Sequence, residues 1–236
     1  MSQIVYVLIH SPLVGALTWS LVADQLRQRG FDARVPTLKD SPASEKPFWK
    51  QHADSVSKAL VKISSEQPVI LVAHSGAGPL LPAIRASIHN PVHAYVFVDA
   101  GIPRDGATRL DLMRSEDPEW AAQFQMELEQ GLLFPTWSLE DLQEVIPDDA
   151  LRRQTVSEIQ PRGLDFFSEP IPVFAGWPDA PCMYIQFSAP YKTPTQQARQ
   201  AGWIVEELEA GHFHMLVDPQ AVADSILRNV HKTLTD

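Results

Sequence analysis

Ser75 stands in the segment Val69-Ile70-Leu71-Val72-Ala73-His74-Ser75-Gly76-Ala77-Gly78, where an apolar run of buried-strand character passes into helical spacing across a serine. That strand-turn-helix context is what a nucleophile elbow requires. The turn lifts the hydroxyl from the C-terminal edge of a sheet and aims the next backbone N–H, that of Gly76, at the place where an oxyanion would form. Only small residues fit two positions before and two after the serine. Glycine is usual at both, and alanine, here Ala73 and Ala77, is the mildest departure. Gly78 adds a further small residue where helix and strand come close. The plainer alternative is an ordinary βα turn in which the serine caps the helix.

A serine hydroxyl is a weak nucleophile until a neighbouring base takes its proton. The last strand-like run, Trp203 to Leu208, leads into Glu209-Ala210-Gly211-His212-Phe213-His214-Met215-Leu216-Val217-Asp218-Pro219, which places two histidines in the loop before the final helix. His212 follows a glycine and is assigned as the base; His214 is the alternative, a loop histidine facing solvent or the inserted segment. Among the others, His74 reads as a core residue beside the elbow, and His52, His89, His93 and His231 as helix or surface positions. No histidine or carboxylate pair has metal-ligand spacing on a strand or helix, so neither metal nor cofactor is expected.

These residues need a sheet to carry them. Six short β-rich runs supply it: Ile4 to Ile9, Ala33 to Pro36, Val69 to Ala73, Ala94 to Val98, Cys182 to Phe187 and Trp203 to Leu208. Helical spacing separates most of them, over Leu17 to Gln28, Phe48 to Ser64, Ala77 to Ile88 and the segment after Asp218-Pro219. Alternation of this kind predicts a parallel sheet flanked by helices. From Pro103 to Pro181 no strand is expected. Helical segments are predicted there at Pro118 to Gln130, Leu139 to Val145 and Asp148 to Ile159, and a structureless loop of that length would be improbable. The expected organisation is an α/β core of residues 1–102 and 182–236 with a helical lid, residues 103–181, inserted after the fourth strand.

Composition narrows the partners. The chain has 236 residues, 44% of them hydrophobic, enough for one domain with a substantial core. A net charge of −10 argues against nucleic acid, which would need clustered Lys and Arg. The single cysteine, Cys182, provides no disulfide framework and reads as a small core residue. No stretch reaches the roughly 18 apolar residues of a membrane span, and the apolar run at the N-terminus lacks a basic segment before it. A cytoplasmic protein with a small-molecule substrate and no membrane or nucleic-acid partner is expected; a homodimer stays open.

Taken together, the residues resemble the α/β-hydrolase superfamily, in particular the branch of plant hydroxynitrile lyases and methyl-ester esterases. Three segments carry the resemblance in order: Leu8-Ile9-His10-Ser11-Pro12-Leu13-Val14-Gly15-Ala16-Leu17-Thr18-Trp19, the elbow from Ala73 to Gly78, and Gly211-His212 through Met215-Leu216 to Asp218-Pro219. The resemblance implies an α/β-hydrolase fold whose mostly parallel six-stranded sheet lacks the family's two N-terminal strands. It also implies a second oxyanion donor after His10-Ser11, in the slot held here by Pro12, which has no N–H. Losing such a donor costs about 2.7–4 kcal/mol of transition-state stabilisation, so the loop is expected to present the N–H of Leu13 instead. If His10-Ser11-Pro12 is merely a strand-ending turn, Gly76 is left as the sole donor. The family's acid falls past the strand after the lid, where Phe187-Ser188-Ala189-Pro190-Tyr191 offers no carboxylate. Asp99, in Val96-Phe97-Val98-Asp99-Ala100-Gly101, occupies a position that haloalkane dehalogenases are similar in using, and is expected to orient His212. Its competing role is capping ahead of the lid; Asp179 and Asp218 are the fallbacks.

The lid and its flanks carry Trp120, Phe124, Phe134, Trp137, Phe166, Phe167, Phe174 and Trp177. Most serve to pack it against the core, and the remainder would line an apolar pocket. Pro12, Trp19, Phe124 and Trp137 are the expected substrate contacts. Three functions follow: serine hydrolysis of a small hydrophobic ester, thioester or lactone; lyase, cyclase or isomerase chemistry with the same Ser/His pair as a base, which Pro12 favours; and a catalytically silent ligand-binding protein.

Overall fold

The computed structural model describes residues 4–235. The chain opens with β1 (Val5–Ile9), α1 (Leu17–Gln28), β2 (Asp32–Arg34), α2 (Phe48–Leu60) and β3 (Val69–Ser75). A short 3₁₀ turn and α3 (Leu81–Arg85) lead to β4 (Val92–Ala100). After the insertion come β5 (Cys182–Gln186), then a helix at Lys192–Gln200, β6 (Ile204–Glu207), a short helix at His214–Val217 and the last helix, Pro219–Thr235. All five pairings in the sheet are parallel, in the order β2-β1-β3-β4-β5-β6.

Why the central strands read as nearly continuous apolar runs is clear from their burial: both faces of the sheet are covered. Alternate residues of β1 serve two cores. Tyr6 and Leu8 join Trp19, Val22 and Leu26 of α1 and Ile226 and Val230 of the last helix. Val5, Val7 and Ile9 join Val56 and Leu60 of α2 and Leu81 and Ile84 of α3. α1 stops at Gly30, whose φ of +85° suits glycine, while Phe31 N–H reaches back to Leu26 O at 3.1 Å. Pro79 and Pro82 shorten the helix expected over Ala77 to Ile88 to a 3₁₀ turn followed by α3.

Between β4 and β5 lie α4 (Arg109–Glu116), α5 (Pro118–Glu129), α6 (Asp149–Ser157) and α7 (Leu164–Phe167). The expected helix over Leu139 to Val145 is instead a series of turns. Ser138 and Asp141 bond reciprocally as a helix start would, but Pro147 follows too soon for the turn to propagate. α4 was not foreseen, because only Arg109 and Leu110 of its residues are buried and no apolar stripe marks it. Its usable signal is the capping box of Thr108 and Asp111. The helices after the insertion are α8 (Lys192–Gln200), α9 (His214–Val217) and α10 (Pro219–Thr235). Among the described residues, no helix is long and apolar enough to cross a membrane.

Candidate active site

Because all strands run the same way, their C-terminal ends share one edge. The chain reverses its direction of travel across the sheet between β1 and β3, and open parallel sheets open a crevice at such a point. Ser75 closes β3 there with φ +56°, a left-handed conformation that a non-glycine residue adopts at a cost of about 1–3 kcal/mol. The ladder to β4 shifts register between His74 and Ser75, and Ser75 O accepts from Gly101 N–H at 3.3 Å. Ala73 and Ala77 are fully buried around the turn. A Cβ at Gly78 would meet Gly101 O at 2.2 Å, so only glycine lets the following turn lie against β4.

The penultimate residue of β4, Asp99, is a second left-handed residue, at φ +44°. Tyr184 of β5 holds this kink from beneath: its hydroxyl donates to Ala100 O at 2.7 Å and accepts from Ala100 N–H at 3.1 Å. The Asp99 carboxylate is fully buried and accepts from four donors. Phe187 N–H and Ser188 N–H bind one oxygen at 2.8 and 3.0 Å. The other oxygen takes Ser188 Oγ–H at 2.5 Å and His212 Nδ1–H at 2.8 Å. The loop after β5, where no carboxylate is present, therefore supplies the donors that hold a carboxylate arriving from β4.

His212 reaches the same edge because the chain after β6 continues alongside β5, with Leu208 N–H on Gln186 O at 2.8 Å and Ala210 N–H on Phe187 O at 3.1 Å. Underneath, His74 is fully buried; its Nε2–H donates to His212 O at 3.0 Å, and the two rings lie 4.4 Å apart. Burial, with His212 close by, holds the His74 imidazole well below its ordinary pKa, so it stays neutral as a support. With Nδ1–H committed to Asp99, the lone pair of His212 lies on Nε2. His214 turns away, its ring on Phe187.

Ser75 and His212 open into one cavity of about 790 Å³. Its floor includes Pro12, Leu13 and Gly76, and the insertion covers it with Trp120, Phe134, Trp137, Phe166 and Phe167. Tyr191, which the sequence pattern did not single out, contacts both functional side chains. Its hydroxyl is 3.1 Å from Ser75 Oγ, and its ring lies parallel to that of His212 with centroids 5.1 Å apart. Of the expected substrate contacts, Pro12 and Trp137 line the cavity, whereas Trp19 and Phe124 do not. Trp19 is fully buried in the core, its Nε1–H on Ile9 O at 3.1 Å; helical spacing on α1 turns it inward. Phe124 is enclosed by Trp120, Phe134 and Phe167, which reach the cavity in its stead.

The expected oxyanion loop is placed differently from its sequence reading. Leu13 N–H points toward Ser11 Oγ at 3.4 Å, and the Pro12 ring lies over Gly76, with Cδ 3.7 Å from a Cβ built there. His10 makes the turn rigid: Nδ1–H donates to Ser11 O at 2.8 Å and Nε2 accepts from Leu38 N–H at 3.1 Å. The fallback carboxylates are engaged elsewhere. Asp179 pairs with Arg85 and Tyr95, and Asp218 caps the last helix through Ala221 N–H. His52 lies on helix α2, where it is buried with its Nε2 2.6 Å from Asp40. Among the described residues, no group of His, Cys, Asp and Glu is arranged to hold a metal ion.

An all-parallel sheet, a strained serine at the end of its third strand, and a histidine following its last strand define the α/β-hydrolase class of architecture. A model of the alpha/beta hydrolase family matches residues 6–225, and the chain belongs to that family. No curated protein sequence matches it. Among solved structures it is similar to an extracellular α/β-hydrolase from a Paenibacillus species, described as sharing homology with tobacco salicylic acid binding protein 2 (18% identity, 96% of this chain and 98% of that one, TM-score 0.73). It is also similar to tomato methylketone synthase I (15% identity, 99% and 100%, TM-score 0.72) and to a pyrethroid hydrolase from Sphingobium faniae (17% identity, 99% and 100%, TM-score 0.68). At these identities the likeness is one of fold.

Proposed function

We propose that the protein is a serine hydrolase acting on a small hydrophobic carboxylic ester, thioester or lactone, with Ser75 as nucleophile, His212 as general base and then acid, and Asp99 as the orienting carboxylate. The observation that carries this reading is the 2.8 Å contact between buried Asp99 and His212 Nδ1, which leaves Nε2 as the basic atom on a ring that shares its cavity with Ser75. In the reaction, Ser75 Oγ attacks the carbonyl carbon as its proton passes to His212 Nε2. The tetrahedral intermediate then collapses, and the leaving group departs with that proton. Water hydrolyses the acyl-enzyme by the same steps. The aromatic walls over the site suit an apolar acyl or alcohol group, and the partner of the protein in this reading is that small molecule.

Turnover of a panel of p-nitrophenyl esters from acetate to octanoate tests the proposal. Ser75→Ala and His212→Ala should each reduce it by about 10³-fold or more with an unchanged circular dichroism spectrum. Turnover retained by Ser75→Ala would contradict it. A second reading, in which His212 acts as a base without an acyl-enzyme, is favoured by Pro12 and by the orientation of Leu13 N–H toward Ser11. It predicts that Ser75→Ala abolishes activity although no acyl intermediate can be trapped.

A further inference from the structure

We propose that the Tyr191 phenol is a catalytic hydrogen-bond donor to the reacting oxygens at Ser75, taking over the stabilisation that the loop at Pro12 does not provide; this rests on the serine-hydrolase reading. Four observations lead there. The Tyr191 hydroxyl lies 3.1 Å from Ser75 Oγ, so it already touches the atom that would attack. Its ring is parallel to the imidazole of His212, planes within 5°, which fixes the phenol beside both members of the Ser/His pair. Tyr191 is tied to the acid as well: its N–H donates to Ser188 O at 3.2 Å, and Ser188 in turn binds Asp99 through N–H and Oγ–H. Finally, Pro12 has no N–H and Leu13 N–H is directed at Ser11 Oγ, so the backbone offers the N–H of Gly76 where two donors would be useful.

Desolvation in the cavity wall holds the phenol above its ordinary pKa, so Tyr191 keeps its proton across the working pH range and acts as donor rather than base. The step balances without it changing protonation state. Ser75 Oγ–H gives its proton to His212 Nε2 and bonds to the carbonyl carbon, and the carbonyl π pair moves onto oxygen. That oxyanion accepts from Gly76 N–H and Tyr191 Oη–H. When it re-forms the carbonyl, the leaving group takes the proton from His212 and the phenol returns to Ser75 Oγ.

The rate at which a fluorophosphonate modifies Ser75 reads this directly, because phosphonylation passes through a comparable oxyanion and needs no knowledge of the substrate. Tyr191→Phe keeps the ring on His212 and removes only the hydroxyl; it should lower the second-order labelling rate by about 10²-fold, and on p-nitrophenyl esters lower kcat far more than it changes KM. Tyr191→Leu, which also loses the stacked ring, should fall further. A merely structural tyrosine predicts instead that Tyr191→Phe stays near wild type and that only Tyr191→Leu is impaired, so the Tyr191→Phe rate separates the two roles. Labelling of Tyr191→Phe within about threefold of wild type, or faster, overturns the donor role alone, provided wild type is labelled and Ser75→Ala is not. Wild-type protein that resists labelling while Ser75→Ala keeps its turnover overturns the serine reading and this inference together.

Discussion

Among single residues, the orientation of the base depends on how Asp99 is held. Four donors converge on a fully buried carboxylate, and one of them is the base itself. Asp99→Asn would replace an acceptor-only group with one that also donates, which disfavours the tautomer that frees His212 Nε2. The expected result is a loss of about 10³- to 10⁴-fold in kcat on the ester panel with the fold retained; activity above a tenth of wild type would contradict the assignment. Ser75, His212 and Asp99 were legible in the sequence because each follows a strand-like run in an order that parallel topology brings to one edge. Trp19 was misread because a tryptophan near a loop does not reveal which way its helix turns it. Tyr191 is not legible in the sequence, because a phenol in a loop carries no characteristic spacing.

At the scale of elements, the insertion is fastened to the core by capping helices that cannot cap themselves. α1 begins after Ala16 and α2 after Pro47, and neither residue offers a side-chain acceptor. Glu158, just past α6, accepts from Leu17 N–H at 3.0 Å. Glu169, past α7, accepts from Phe48 N–H and Trp49 N–H at 2.8 and 2.9 Å. Gln160 N–H also binds Leu13 O at 2.9 Å, tying the insertion to the loop under the cavity. Glu158→Ala should cost about 1 kcal/mol in urea unfolding, the usual value of a cap. Glu169→Ala should cost more, about 3–5 kcal/mol, because it strands the buried guanidinium of Arg109, which lies 3.2 Å away. Equal effects of the two substitutions would contradict this division. The six strands and the main core helices could be anticipated from periodicity. The turns at Leu139 to Val145 and the helix at Arg109–Glu116 could not, because the insertion is held by caps and aromatic contacts from distant residues rather than by an apolar stripe of its own.

For the whole molecule, buried histidines set the response to acid. His10, His52 and His74 are all buried and neutral in the fold, and burial lowers each pKa; that of His10 falls from 6.5 to about 4. A depressed folded-state pKa means that the unfolded chain binds the proton more readily. The stability is thus fully present above about pH 6.5 and is lost as pH falls toward 4, with His10 alone contributing on the order of 3 kcal/mol. Asp40, whose carboxyl is lowered by His52 and Arg162 against its own burial, acts with the same sign. Desolvation raises the carboxyls of Glu116, to about 7, and Glu169, which opposes this loss over the same range, so the His10 contribution is read by difference: urea midpoints between pH 7 and pH 4.5 should fall less steeply in His10→Gln than in wild type, and equal slopes would contradict the burial of a neutral His10 imidazole. Whether the Ser75 hydroxyl is the nucleophile is read by intact mass and peptide mapping after exposure of the native protein to a fluorophosphonate. A single adduct is expected on the peptide bearing Ser75, lost in Ser75→Ala and suppressed in His212→Ala. Folded protein that stays unmodified, or an adduct on another residue, would contradict it.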